Sequence, residues 1–162
     1  MRSRAVGLLT LLAVFLAACG GTSKPPTTPS TATAGTIYRQ ATVRLEQTFL
    51  LDLDTGTIPP PGVALGADIW FHAVTVQERY LTPMRSLGAG IAVYGLSAPG
   101  FSGCGTATLN ATDIPIETLT TGLYLCASTS EGRVAEIRVV EPAGPSGPPT
   151  AALTISYTTY NR

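Results

Sequence analysis

From Leu123 onward apolar side chains return at every second position in three separate runs, and this period of two constrains the fold more than any other feature of the chain. The runs Leu123 to Thr129, Val134 to Val140 and Ala152 to Tyr160 are expected to form a three-strand antiparallel meander. Ser130-Glu131-Gly132 supplies the first turn, with Gly132 available for a positive φ, and the Pro- and Gly-rich run from Pro142 to Pro149 supplies the second. Ala135, Ile137 and Val139 face inward on this reading, while Glu136 and Arg138 face water; Leu153, Ile155 and Tyr157 alternate with threonines and Ser156.

Upstream the same period is weaker. Val43 to Leu53 reads as one strand, with Val43, Leu45, Phe49, Leu51 and Leu53 on its apolar face and Asp52 on the other. Ala67 to Val76 reads as a strand apolar on both faces, hence central, and Ile91 to Tyr94 as a short one. Ser97 to Thr121 is rich in turn residues, with a single helical turn expected over Asp113 to Leu119. No helix of ordinary length is expected in the domain, so the fold class is all-β, a small antiparallel barrel or sandwich.

The N-terminus has a different character. Arg2 and Arg4 precede an apolar run from Ala5 to Leu16 broken only by Thr10. A permanent bilayer-spanning helix needs roughly 20 apolar residues, so this stretch reads as the apolar region of a signal peptide. It ends in Leu16-Ala17-Ala18-Cys19, which resembles the lipobox of bacterial lipoprotein precursors. Small residues admit the cleavage segment to a protease, and only a thiol can form the thioether to diacylglycerol. The resemblance implies cleavage between Ala18 and Cys19, lipid on Cys19 and contact with the lipoprotein-processing enzymes.

The competing reading is an ordinary signal peptide with an incidental cysteine. Against it stands the run from Gly20 to Gly35, made of Gly, Thr, Ser, Pro and Ala with Lys24 its only charge, which suits a tether. The expected organisation is a signal peptide over 1–18, a lipid-anchored flexible linker over 19–37 and an all-β domain over 38–162. Such a protein belongs to the cell envelope, held to the membrane on its extracytoplasmic side. Gly20 after the cysteine is compatible with an outer membrane where the host has one.

Loss of Arg2 and Arg4 with the signal peptide takes the basic count from 10 to 8 against 10 acidic residues, a net charge of −2. Lys24 is the single lysine and no basic cluster exists, so nucleic acid is not an expected partner.

Within the domain, Leu51-Asp52-Leu53-Asp54-Thr55-Gly56 and Ala67-Asp68-Ile69-Trp70-Phe71 resemble a bacterial extracytoplasmic all-β module. Pro83, Gly95, Gly122, the turn from Thr129 to Arg133 and Leu153-Thr154-Ile155-Ser156-Tyr157 match its later landmarks. The resemblance implies the fold and compartment and brings no activity. Leu87-Gly88-Ala89 departs from it where an Asn-Gly-like turn would be expected.

Cys104 and Cys126 remain once Cys19 carries lipid, and in an exported chain two cysteines favour a disulfide over two free thiols. Cys104 is expected in a Gly-rich loop and Cys126 in a strand. One histidine and no Cys-x-x-Cys spacing give no metal site, and no cofactor is implied. Asp54-Thr55-Gly56 raises an aspartic-protease reading, but a second such triplet is missing and Ile58 to Pro61 follow instead; a strand end turned by Asp and Gly is the plainer account. Asp52 and Asp54 resemble part of a calcium loop without its further ligands, so a solvated strand end is expected there.

His72 is the only neutral-pH base of the domain, placed on one strand face with Asp68, Trp70 and Val74. Asp68 would lie roughly 13 Å away along a strand, too far to orient it. A structural histidine beside a core Trp70 is the plainer reading, and Trp70, Phe71, Tyr80, Tyr94 and Phe101 serve packing before any ligand. Glu78-Arg79 and Glu136/Arg138 read as surface pairs.

The residues that remain as ligand or active-site candidates are Asp54, Asp68, Trp70 and His72. The function expected is a non-catalytic, lipid-anchored envelope module with a binding or structural role toward an envelope protein or glycan. The alternatives are an envelope hydrolase through Asp54 or His72, and a lipoprotein that inhibits or chaperones an envelope enzyme. Cys19→Ala is expected to abolish incorporation of labelled lipid and to leave the precursor unprocessed; unchanged labelling would remove the lipoprotein reading.

Overall fold

The computed structural model describes residues 33–60, 62–145 and 151–162. The signal peptide, Cys19 with its lipobox and most of the expected tether lie outside the described residues, as does the stretch 146–150 of the last connection. Strand β1 (Ile37–Glu46) opens the domain, starting at the last residue assigned to the linker. The strands β2 (Leu50–Leu51), β3 (Ile69–Ala73), β4 (Arg79–Pro83) and β5 (Gly90–Gly95) follow. Then come helix α1 (Gly100–Thr106), β6 (Ile114–Pro115), β7 (Tyr124–Ser128), β8 (Val134–Glu141) and β9 (Ala152–Tyr160).

Two antiparallel sheets form a sandwich. The larger has the order β1-β9-β8-β7-β5, the smaller β2-β3-β4-β6. The meander is present as expected: β7 pairs β8 and β8 pairs β9, with Gly132 at φ 80° in the first turn. Ala135, Ile137, Val139, Leu153, Ile155 and Tyr157 are buried against Leu51, Leu53, Ile69, Phe71 and Leu81 of the opposite layer and its flanks. Burying an aliphatic or aromatic side chain contributes about 2 kcal/mol, so this layer of contacts is the main favourable term.

The expected strand from Val43 to Leu53 is in fact two strands in two sheets. The chain leaves β1 at Glu46, turns through Gln47 and Thr48, and enters the smaller sheet as β2. Thr48 takes φ 74°, a left-handed conformation that a β-branched residue adopts only when its surroundings hold it there. Its N–H donates to Phe71 O at 2.8 Å, and Phe49 N–H donates to Glu46 O at 3.1 Å. Alternation of apolar residues persists across the turn because both strands face the same core from opposite sides.

The central segment also departs from expectation. Cys104 lies on α1, not in a loop, and the helix is pinned to the outer side of the larger sheet. Gly100 N–H donates to Glu136 Oε2 at 2.6 Å, so Glu136 caps this helix and is not simply a solvent-facing charge. Cys104 and Cys126 are bonded, with Sγ–Sγ 2.03 Å and Cα atoms 5.0 Å apart. Asp113 to Leu119 holds β6 and a short 3-10 turn at Ile116–Thr118. Arg79 is likewise no surface charge: it is buried, donating to Glu117 Oε1 from Nε (3.1 Å) and Nη2 (2.8 Å), and to Gly144 O from Nη1.

Non-reducing peptide mapping should recover Cys104 joined to Cys126. Cys104→Ala/Cys126→Ala should lose about 3 kcal/mol of stability, the value for a loop of this size; an unchanged denaturation midpoint would show that α1 docks without the bond.

Candidate functional site

Asp52 and Asp54, expected at a solvated strand end, are instead buried together with Asp68, expected on a strand face beside His72. Asp52, Asp54 and Asp68 are each less than a tenth exposed, and one oxygen of each lies within 4.8 Å of the others. Their burial follows from what they hold. Asp52 closes the turn after β2: its Oδ1 accepts the N–H groups of Asp54 (2.8 Å) and Thr55 (2.9 Å), and its Oδ2 accepts the Thr55 hydroxyl (2.7 Å). Gly56 completes that turn at φ 71°, where a Cβ would come within 2.6 Å of the Arg39 guanidinium.

Asp68, just before β3, reaches both layers. Its Oδ2 accepts Leu53 N–H at 2.7 Å, and its Oδ1 accepts Ser130 N–H at 2.5 Å from the β7–β8 turn. Thr159 of β9 donates its hydroxyl to Leu53 O at 2.7 Å. Both backbone polar groups of Leu53 are therefore satisfied by side chains, one from each end of the chain's topology. Asp54 faces the same turn: Arg133 Nη1 lies 3.1 Å from its Oδ1, although neither carboxylate oxygen accepts a well-aligned hydrogen bond. Arg133 also pairs with Glu131 and lies over the Tyr38 ring, 3.7 Å from its centroid.

Burial raises the Asp54 carboxyl above its ordinary range, with the Thr129 hydroxyl and Arg133 pulling the other way. Burial pushes Asp68 up to about 6, against the lowering effect of the Ser130 and Leu53 N–H groups. Three oxygens at this spacing are the raw material of a cation site. Each carboxylate, however, already has a partner: turn N–H groups for Asp52 and Asp68, a guanidinium for Asp54. The cluster works as a staple between the layers.

The other two candidates lie elsewhere. Ile69 and Phe71 of β3 point into the core, so Trp70 and His72 point outward on the smaller sheet. Their rings stack, with centroids 3.9 Å apart and planes 19° from parallel. Trp70 is thus half-buried on an outer face and is not a core residue. Asp68 does not share that face with His72, because its carboxylate is turned to Leu53 and Ser130. Trp70 forms the wall of a groove of about 280 Å³ with Thr48, Leu50, Gly62, Ala64 and Met84. Trp70 Nε1–H donates to Thr48 O at 3.1 Å, which ties the indole to the strained turn.

Sequence reasoning missed the groove because its lining comes from three separate segments, around Leu50, Gly62 and Met84. The available signal was Leu50, an apolar residue interrupting the polar face of the strand expected over Val43 to Leu53. Compared with protein-family models, curated proteins and solved structures, the chain matches none.

Asp68 carries a sign for pH. The folded protein binds its proton more tightly than an unfolded chain with an ordinary value of 3.8. Between about pH 4 and 6 the folded state therefore holds more protons, and stability falls as pH rises through that window. The span corresponds to roughly 3 kcal/mol, with Asp54 acting in the same direction. Glu117, held low by Arg79 against its own desolvation, opposes this but is half exposed and screened. Asp68→Asn keeps one acceptor and sets its amide N–H against the second backbone donor. It should lower stability at pH 4.5 and flatten the pH 4–6 slope in chemical denaturation; a slope equal to that of the unsubstituted protein would take the proton away from Asp68.

Proposed function

We propose that this chain is a lipid-anchored protein of the cell envelope whose β-sandwich is a non-catalytic binding module, with the groove around Trp70 as its contact face. The groove is the observation that carries the reading. It is concave and mainly apolar, and it carries an aromatic wall beside a single side-chain hydroxyl, that of Thr48. The lipobox residues and Cys19 supply the anchor in this reading, since the sequence there matches what the lipoprotein pathway requires.

The titratable groups support the non-catalytic part. Asp54 and Asp68, whose carboxyls burial raises, are enclosed and engaged in joining the layers. His72 is engaged with Trp70, and the sequence carries no Gly-x-Ser-x-Gly elbow. A binding face on one outer surface and a staple at the sandwich interior divide the work between stability and recognition.

Trp70 is the only tryptophan, so its emission reports the groove directly. Titration with soluble peptidoglycan fragments, and separately with a short apolar peptide, should give a saturable emission change with one of the two. Leu50→Asp should remove that change, and Asp54→Asn should leave it in place. A flat titration with both probes would overturn a soluble glycan or peptide as the ligand of the groove. Loss of the native cellular phenotype in folded Asp54→Asn or His72→Ala would favour the hydrolase alternative.

A further inference from the structure

The groove does not end at its lining. Gly62 and Ala64 form part of its wall, and their neighbours Val63 and Leu65 are 44% and 85% exposed; Ile58, on the same connection between β2 and β3, is 39% exposed. From Thr55 to Ala67 the sequence contains no charged residue. Three exposed apolar side chains on an uncharged stretch beside an apolar groove need a partner that takes up apolar surface without paired charges.

Trp70 narrows the chemistry further. Its single polar atom is already satisfied by Thr48 O, so the indole can leave bulk water without losing a hydrogen bond. A sugar would find one hydroxyl, on Thr48, among the groove side chains, too few donors and acceptors to orient it.

We infer that the partner of this face is the lipid bilayer itself: Ile58, Val63 and Leu65 enter the headgroup boundary, and Trp70 sits at that boundary with Leu50 and Met84 behind it. This deepens the binding reading by naming its partner, and it rests on the groove being the contact face. The chain outside the described residues argues for this occupant over a second copy. Between Cys19 and Thr33, where the described residues begin, it can span at most about 50 Å, more than the ~33 Å length of ten-residue β1. A domain held at Cys19 can therefore reach the membrane with this face, at an effective concentration that a free partner would not reach.

The test uses the chain from Cys19, which retains every described residue. With Cys104 and Cys126 bonded to each other, Cys19 is the one free thiol. It can be coupled to a maleimide headgroup lipid in neutral phosphatidylcholine vesicles, so attachment does not depend on cellular lipidation. With acyl chains brominated near the headgroup, Trp70 emission should shift to the blue and fall by about half, as for an aromatic at the headgroup boundary. Val63→Asp/Leu65→Asp should abolish the quenching, while Val93→Asp, on β5 of the other sheet, should leave it intact. Unquenched emission from the coupled protein overturns the inference, as does quenching that survives Val63→Asp/Leu65→Asp. Emission changes that track protein density on the vesicle and ignore bromination identify a second copy as the occupant and also overturn it. If the peptidoglycan or peptide titration succeeds while bromination has no effect, the bilayer alone is removed and the binding reading stands.

Discussion

The sandwich depends on one buried carboxylate. Asp68 accepts Leu53 N–H from its own layer and Ser130 N–H from the opposite one. Without it, the buried Leu53 N–H would have no acceptor, at a cost of about 1–3 kcal/mol, and the part-buried Ser130 N–H would lose its own. The hydrophobic core brings the sheets together but does not fix their relative position, because burial is non-directional. Hydrogen bonds at 2.5 and 2.7 Å to a single side chain are directional, and Thr159 adds a third from β9. Asp54 and Arg133 reinforce the same joint with charge, and Asp52 shapes the turn that carries Leu53 and Asp54 into it. The resulting raised carboxyl on Asp68 is the electrostatic cost of building a joint from an acid in an apolar setting.

The meander was legible because one rule governs it from end to end. Each of its strands has one face on the core, so alternation in sequence maps directly onto alternation in space, and Gly132 marks the turn. The break between β1 and β2 was not legible, for a specific reason. Gln47 and Thr48 are not turn formers, and the left-handed conformation at Thr48 is imposed by Phe71 O and by the indole of Trp70. Local propensity had no access to those partners. The same holds for α1: a heptapeptide with three glycines has poor helical propensity and is held by Glu136 and the disulfide.

The acids illustrate how a polar pattern misleads. Asp52 and Asp54 fell on positions that period-two reasoning, or the D-x-D-x-G spacing, assigns to water, and Asp68 on a strand face beside His72. All three are buried because the backbone leaves the sheet just there, and a chain leaving a sheet exposes N–H groups that need acceptors. An Asp-rich strand end in a small sandwich is therefore as consistent with a joint as with a loop in solvent. What separates the two is whether a second segment, here the turn from Thr129 to Arg133, supplies donors and a counter-charge. That segment is some sixty residues away, and a single sequence does not reveal the pairing.

The strained turn connects stability to the groove. Thr48 holds a conformation costing about 1–3 kcal/mol, and its carbonyl is the acceptor that fixes Trp70. Relaxing Thr48 would release the indole, and with it the wall of the groove, while leaving the Asp68 joint untouched. The energy stored at the turn is thus repaid in the order of one outer face and not in the packing of the core. Glycine at position 48 would relieve the strain and keep both main-chain bonds, the N–H to Phe71 O and the carbonyl to Trp70 Nε1. What threonine alone adds is its side chain, which stands in the lining of the groove beside the indole and restricts the unfolded chain at this turn more than glycine would.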